Sequence, residues 1–318
     1  MVPGTNFNNK VFSLAARKLK NEFSWSSTRH VIFTECRRKY YYHYYGSWGG
    51  WEKSSDDLSK ELYVLKGLVN RHGWVGALVN REIKRVLNEL RSTGKVKPLA
   101  VSISRLSRYM RTEWRLSKSL KCRGKSKSTL LYEHEYGVEV EQERWREAHE
   151  RAMTCIRNFH SSRTLGYLMS SRDYEILVIE KEKPVFFPIK GTKVYVNVPF
   201  AFKRSGGKTV IVEWNTGENS PEPLKSLCRV IYMGEKYDLD PHNISIRECK
   251  LLYNTEEELT FDLRELQAAR EEIEASIQEM KVLLSEEETN TASIENFPKT
   301  DDLSMCERCN FYKSCSKT

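Results

Sequence analysis

The chain has 318 residues, enough for one large domain or two modest ones. Hydrophobic residues are 39% and charged residues 30%, and no apolar run approaches a membrane span, so no membrane association is expected. The net charge of +9 is unevenly placed: residues 1–130 hold 27 Lys and Arg against 9 Asp and Glu, and the remainder holds 25 against 34, so a basic half adjoins an acidic half and points to a polyanion, nucleic acid ahead of acidic protein, as partner.

Residues 1–23 are expected to be a basic arm. The run lacks the apolar core of a secretory signal. Eight cysteines without such a signal point to a reducing cytoplasm, where metal binding is expected ahead of disulfides. Ser27 or Thr28 is then predicted to cap a helix running through Cys36 toward Tyr44. Its segment Arg37-Arg38-Lys39-Tyr40-Tyr41-Tyr42 mixes charge with aromatic faces. That mixture suits phosphate and base contacts, and equally a helix that buries alternate tyrosines. Apolar spacing predicts helices over 58–91, with a break at His72-Gly73, over 101–120 and over 139–169. The 101–120 helix carries a basic face of Arg105, Arg108, Arg111, Arg115 and Lys118.

Between residues 174 and 253 the pattern changes to short β-branched and aromatic runs broken by Pro and Gly, with a hairpin turn at Ser205-Gly206-Gly207-Lys208. A helix over Leu224–Gly234 and a strand over Asn243–Tyr253 are predicted there. Residues 256–288 are expected as one long charged helix with Leu259, Leu263 and Leu266 on its inner face. The expected fold class is α/β, with a helical region over 24–170, a mixed sheet core over 171–255 and a long helix and cysteine tail over 256–318, all of 24–318 forming one compact unit.

Four cysteines carry the strongest signal. Cys36 stands alone, and Cys306, Cys309 and Cys315 follow a C-x2-C-x5-C spacing. Four thiolates complete either an iron–sulfur cluster or a zinc site, and here they would clip the two ends of the chain together. Cys122, Cys155, Cys228 and Cys249 show no ligand spacing and are expected to be buried.

The order of these motifs resembles RecB-type exonucleases of the PD-(D/E)XK superfamily that carry an iron–sulfur cluster, such as CRISPR-adaptation nucleases and the nuclease domains of bacterial recombination helicases. Thr34-Glu35-Cys36-Arg37-Arg38-Lys39-Tyr40 resembles their first cysteine motif, the 306–315 run their last three cysteines, and Val210-Ile211-Val212-Glu213-Trp214-Asn215 their catalytic strand. The resemblance implies a PD-(D/E)XK core, a [4Fe-4S] cluster on Cys36, Cys306, Cys309 and Cys315 (zinc being the alternative), and magnesium- or manganese-dependent phosphodiester hydrolysis. Residue by residue the catalytic set is degenerate. Asn80 stands where the family has His, Pro199 (or Phe200) where it has the first acid, and Asn215 where it has Lys. The helix 224–234 has Tyr232 but no Gln, and only Glu213 remains. Glu180 and Glu182 are the candidates to supply another carboxylate.

The resemblance therefore implies a pseudo-nuclease that binds nucleic acid, expected to be DNA, through Arg37, Arg38, Lys39, Tyr41, Arg105, Arg108, Arg111 and Arg115. It would serve as a cytoplasmic, non-cleaving subunit of a DNA-repair or antiphage-defence complex with a helicase or active nuclease. Two alternatives stand beside it: an active metal-dependent exonuclease using Glu213, and a scaffold that binds only protein.

Overall fold

A computed structural model describes residues 19–125, 128–181, 183–218 and 222–316; most of the expected basic arm, Glu182 and Pro221 lie outside them. The chain is mixed α/β, with two sheets flanked by helices.

Strand β1 (Ser24–Trp25) leads into α1 (Ser27–Glu35) and α2 (Arg37–Tyr41). The cap is Ser26, whose hydroxyl accepts from Arg29 N–H, rather than Ser27 or Thr28. The expected single helix is broken at Cys36, which is extended and caps α2 with its own sulfur. A π-helical turn, Tyr42–Gly46, follows. Next come α3 (Asp57–Leu65) and α4 (Arg71–Thr93). They part at residues 66–70 rather than at His72-Gly73, because the Asn70 side chain accepts from Gly73 N–H and starts α4 there. Helix α5 (Leu99–Lys118) matches its expected span, and a single turn, α6 (Tyr132–Glu135), follows. The expected helix over 139–169 is two helices, α7 (Gln142–His160) and α8 (Arg163–Ser170), because Ser162 caps the second.

The strands are β2 (Tyr174–Ile179), β3 (Val185–Ile189), β4 (Thr192–Val196), β5 (Phe200–Arg204) and β6 (Thr209–Asn215). Residues 196–201 span the end of β4 and the start of β5, with Pro199 between them. Proline lacks the N–H that a continuous ladder needs. The turn at 205–208 joins β5 to β6 as expected. Helix α9 (Pro223–Tyr237) then crosses to β7 (Ile244–Lys250). The long charged helix is shorter than expected: residues 255–260 form edge strand β8 (Thr255–Thr260), and α10 (Leu263–Val282) starts at an Asp262 capping box with Glu265. Pairing with β7 outweighs the helix preference of the glutamates, and Leu259 and Leu263 are exposed rather than inward. A single turn, α11 (Tyr312–Cys315), ends the described chain.

The main sheet has the order β2-β5-β6-β7-β8, with β6 and β7 parallel and the other pairs antiparallel. A second sheet, β1-β4-β3, joins the N-terminal segment to a hairpin inserted between β2 and β5. Strand β6 is buried on both faces. Val210, Val212 and Trp214 pack with α4, α5 and α7, while Ile211 packs with α9 and α10. The four remaining cysteines are buried as expected. The N-terminal segment belongs to the second of these cores: Trp25 is fully buried and its indole N–H donates to Ser276 of α10 at 3.0 Å.

Two glycines allow close approaches. A Cβ at Gly50 would meet the Ser59 carbonyl and come within 2.6 Å of Tyr63 Cβ. At Gly76 it would come within 2.9 Å of the Thr216 hydroxyl, which can rotate away. Gly50→Ala is expected to cost about 1–3 kcal/mol in urea unfolding. Gly76→Ala, which also gains helix propensity, is expected to stay within about 1 kcal/mol of the parent.

Candidate functional site

Strand register sets the first site. Glu213 on β6 lies directly beside Glu248 on β7, and Glu248 beside Glu257 on β8. Phe200 pairs with Val212, which puts Pro199 one step further on, level with Glu213, and the Pro199 carbonyl accepts from Glu180 N–H at 2.8 Å. Glu213 and Glu248 are 7% and 2% exposed, so two buried carboxylates stand on adjacent strands. Each needs its charge met.

Glu213 is met from α9. Lys225 Nζ lies 2.9 Å from one carboxylate oxygen, and the Arg229 guanidinium donates to the other. Arg229 is 1% exposed, and its Nε donates to the Asn197 carbonyl at 2.7 Å, tying α9 to the β4–β5 connection. Burial pushes the Glu213 carboxyl up, but the charges of Arg229 and Lys225 outweigh it and hold the group below the usual carboxylate value. Glu248 accepts from Asn215 Nδ2 at 3.2 Å, and Asn215 Oδ1 accepts from Gly217 N–H at 2.7 Å. Asn215, at the position of the expected Lys, thus holds a neighbouring carboxylate and the strand end together.

Around this centre, Glu180 accepts from Asn197 Nδ2 at 2.8 Å and pairs with Lys84 of α4 at 3.5 Å. Asn80 is exposed, one turn before Lys84 and one turn after Gly76. Pro199 offers only its carbonyl. The paired cations, Lys225 and Arg229, escaped the sequence reading. Their i, i+4 spacing on the helix that follows the Glu213 strand was the available signal.

The second site is the cysteine cavity. Cys36, Cys306, Cys309 and Cys315 all line one cavity of about 170 Å³, with Tyr42, Leu303, Met305, Phe311 and Lys39. Cys309 is pushed up by burial, with Cys36 and Cys315 adding to it, and Cys315 likewise by burial, with Cys36 and Cys306 adding; the four thiols are therefore electrostatic neighbours. Backbone N–H groups of Lys39 and Phe311 point at Cys36 and Cys309 sulfur at 3.4 and 3.5 Å. Among the described residues no group of three or more His, Cys, Asp or Glu side chains is set to hold a metal ion.

Protein contacts also fasten the tail. Arg38 donates to the Phe297 carbonyl at 2.7 Å, and the Tyr40, Tyr41 and Tyr45 rings pack around Phe297. Tyr42 packs on Phe311, and the Tyr132 and Tyr136 hydroxyls donate to the Glu307 and Asn310 carbonyls.

Of the residues expected to contact nucleic acid, Arg37 stacks on Phe33 and pairs with Glu279 at 3.6 Å, and Lys39 pairs with Glu35 at 2.6 Å. Arg38 and Tyr41 are engaged with the tail. Arg105 is 13% exposed and held by Glu82 and Glu89 at 3.2 and 2.9 Å. Arg108, Arg111, Arg115 and Lys118 are exposed and, among the described residues, in no ion pair. Their spacing makes one stripe along α5, about 15 Å long at the α-helical rise. Arg85 of α4 adjoins it through the Tyr109 hydroxyl at 3.0 Å. The chain matches no protein-family model, and no curated protein matches it.

Arg229→Met is expected to cost about 3–5 kcal/mol in chemical unfolding at neutral pH, because a buried carboxylate loses its partner. The sign with pH follows from the depressed Glu213 pKa. Its contribution is full above the unfolded carboxyl value and fades as pH falls through the folded one. The gap between parent and variant, followed from pH 7 to pH 3, is therefore expected to narrow on acidification.

Proposed function

We propose that this chain is a catalytically degenerate, RecB-like PD-(D/E)XK nuclease-fold protein that binds DNA without cutting it. The reading is carried by one observation: the sole remaining acid of the resembled catalytic set, Glu213, is already matched by Arg229 and Lys225. Magnesium binds through several well-placed hard oxygens. A guanidinium that is always charged and fixed by a second bond to Asn197 takes the place of that cation. A main sheet with antiparallel β2, β5 and β6, then a helical crossover to parallel β7, gives the resemblance a compatible scaffold.

The α5 stripe supplies the DNA-binding surface in this reading, in place of the residues around Cys36, which hold the tail. One cavity lined by all four cysteines supports a shared cofactor, and the resemblance makes it a [4Fe-4S] cluster ahead of zinc. Cys36, Cys306, Cys309 and Cys315 would hold it, and its contribution here would be to lock the two ends of the fold together. Work beside a helicase or an active nuclease, in repair or antiphage defence, fits a subunit that binds but does not cut.

A second reading has its own observation. Glu248 beside Glu213 gives two buried carboxylates in register, and release of Arg229 would leave them as a metal-dependent exonuclease site.

DNA retention is expected to fall steeply with salt, with no cleavage in magnesium or manganese. Arg108→Glu/Arg111→Glu/Arg115→Glu is expected to reduce the slope of log affinity against log salt by about 3. Cleavage lost in both Glu213→Gln and Glu248→Gln would establish the second reading instead. Protein purified without oxygen is expected to carry about four irons and four sulfides per chain; one zinc and no sulfide would overturn the cluster.

A further inference from the structure

Beside the Glu213 centre lies a cavity of about 500 Å³, lined in part by Glu180 and Tyr232. Its size lies within the range of small-molecule sites. Three elements build it: the N-terminus of α1, the inserted β3–β4 hairpin with the loop before it, and the first turns of α9. Lys181, Lys183, Lys225 and Arg229 line it, and Glu180 is the single carboxylate lining it among the described residues. Glu180 is already engaged by Asn197 and Lys84.

The lining is of two chemical kinds. Ser26, Ser27 and Thr28 bring hydroxyls and the first turn of α1, where Ser26 Oγ already accepts from Arg29 N–H and the N–H groups of Ser27 and Thr28 have no intrahelical acceptor. Anions are favoured at such a helix start, and Lys225 and Arg229, paired with Glu213, line the same space. Val178, Val185, Val196 and Val198 give apolar lining, with Tyr195 and Tyr232 among them. A ligand with a dianionic head and a partly apolar body matches both kinds of lining.

We propose that this cavity binds the phosphate of a nucleoside monophosphate, either free or as the phosphorylated terminus of a DNA strand. Protein groups hold the phosphate: its oxygens accept from the lysines, the α1 hydroxyls and the helix N–H groups, and the base lies along the valines and tyrosines. The site rests on the nucleic-acid reading above, but it can be measured without the α5 stripe. Lys181 and Lys183 are exposed on the loop before β3 and, among the described residues, make no ion pair. They can be altered without touching the Glu213 centre.

The experiment is calorimetry of the full chain with 5′-dAMP, with inorganic phosphate, and with a short DNA strand carrying a 5′-phosphate, a 3′-phosphate or neither. Saturable binding of 5′-dAMP with no preference among the strands would assign the cavity to a free nucleotide. A phosphorylated strand binding about tenfold tighter than its unphosphorylated form would assign it to a strand end. Lys181→Glu/Lys183→Glu and, separately, Thr28→Glu are expected to weaken either by about tenfold or more, with thermal unfolding unchanged. Thr28→Glu places its carboxylate in the first turn of α1, where it favours the helix while opposing an anion. No binding of 5′-dAMP or phosphate, together with equal affinity for all three strands, would overturn the proposal. Loss of DNA retention in the α5 variant with 5′-dAMP binding intact supports the cavity as a separate site. Binding of 5′-dAMP by a chain that never retains DNA would sink the DNA-binding reading and leave the cavity standing.

Discussion

A carboxylate on the central strand of a sheet cannot stay charged and dry without a partner, and much of this molecule is arranged around supplying one for Glu213. Arg229 meets it from α9 and, through Nε, donates to the Asn197 carbonyl at the start of the β4–β5 connection. One guanidinium therefore connects strand, crossover helix and inserted hairpin. Glu248 stands next to Glu213, so the same cations lower the cost of placing two acids side by side. Meeting this carboxylate with a covalently tethered cation has an energetic logic. The tethered charge needs no concentration in solution to occupy the site, and it cannot leave.

The hairpin β3–β4 gives the neighbourhood of this pair its cavity. It pairs with the two-residue strand β1 and so draws the start of α1 toward α9. Without it the first turn of α1 and the lysines of the β2–β3 loop would have no common space to line. Residues far apart in sequence, Ser26, Lys181 and Arg229, thereby share one cavity.

How much of this could be read beforehand differed by element, for physical reasons. Helix α5 was legible because its apolar face repeats over five turns and nothing in tertiary contact alters it. The paired cysteine segments were legible from spacing alone, and they do line one cavity. The α3–α4 boundary was displaced because the side chain of Asn70, not the flexible Gly73, sets the start of the helix. Strand β8 was hidden because Glu256, Glu257 and Glu258 are helix formers in isolation; only the open edge of β7 makes them a strand, and neither edge nor register is local information. The basic segment after Cys36 was open to two interpretations. The chain uses Arg37, Arg38 and Lys39 to brace itself, since each has a nearer partner inside the fold. The Arg229–Glu213 pair was invisible for a related reason: a helix residue meets a strand residue only after the crossover is folded.

The seating of the aromatic segment has a consequence for synthesis. Tyr40, Tyr41 and Tyr45 close on Phe297, Tyr42 on Phe311, and Trp25 on Ser276. Those partners leave the ribosome some 250 residues later, tens of seconds at the usual pace of about 5–20 residues per second. Residues 25–45 thus find these partners only late in synthesis. Through that interval an unusually aromatic stretch must wait in the open, shielded by its own arginines and lysines or by a chaperone.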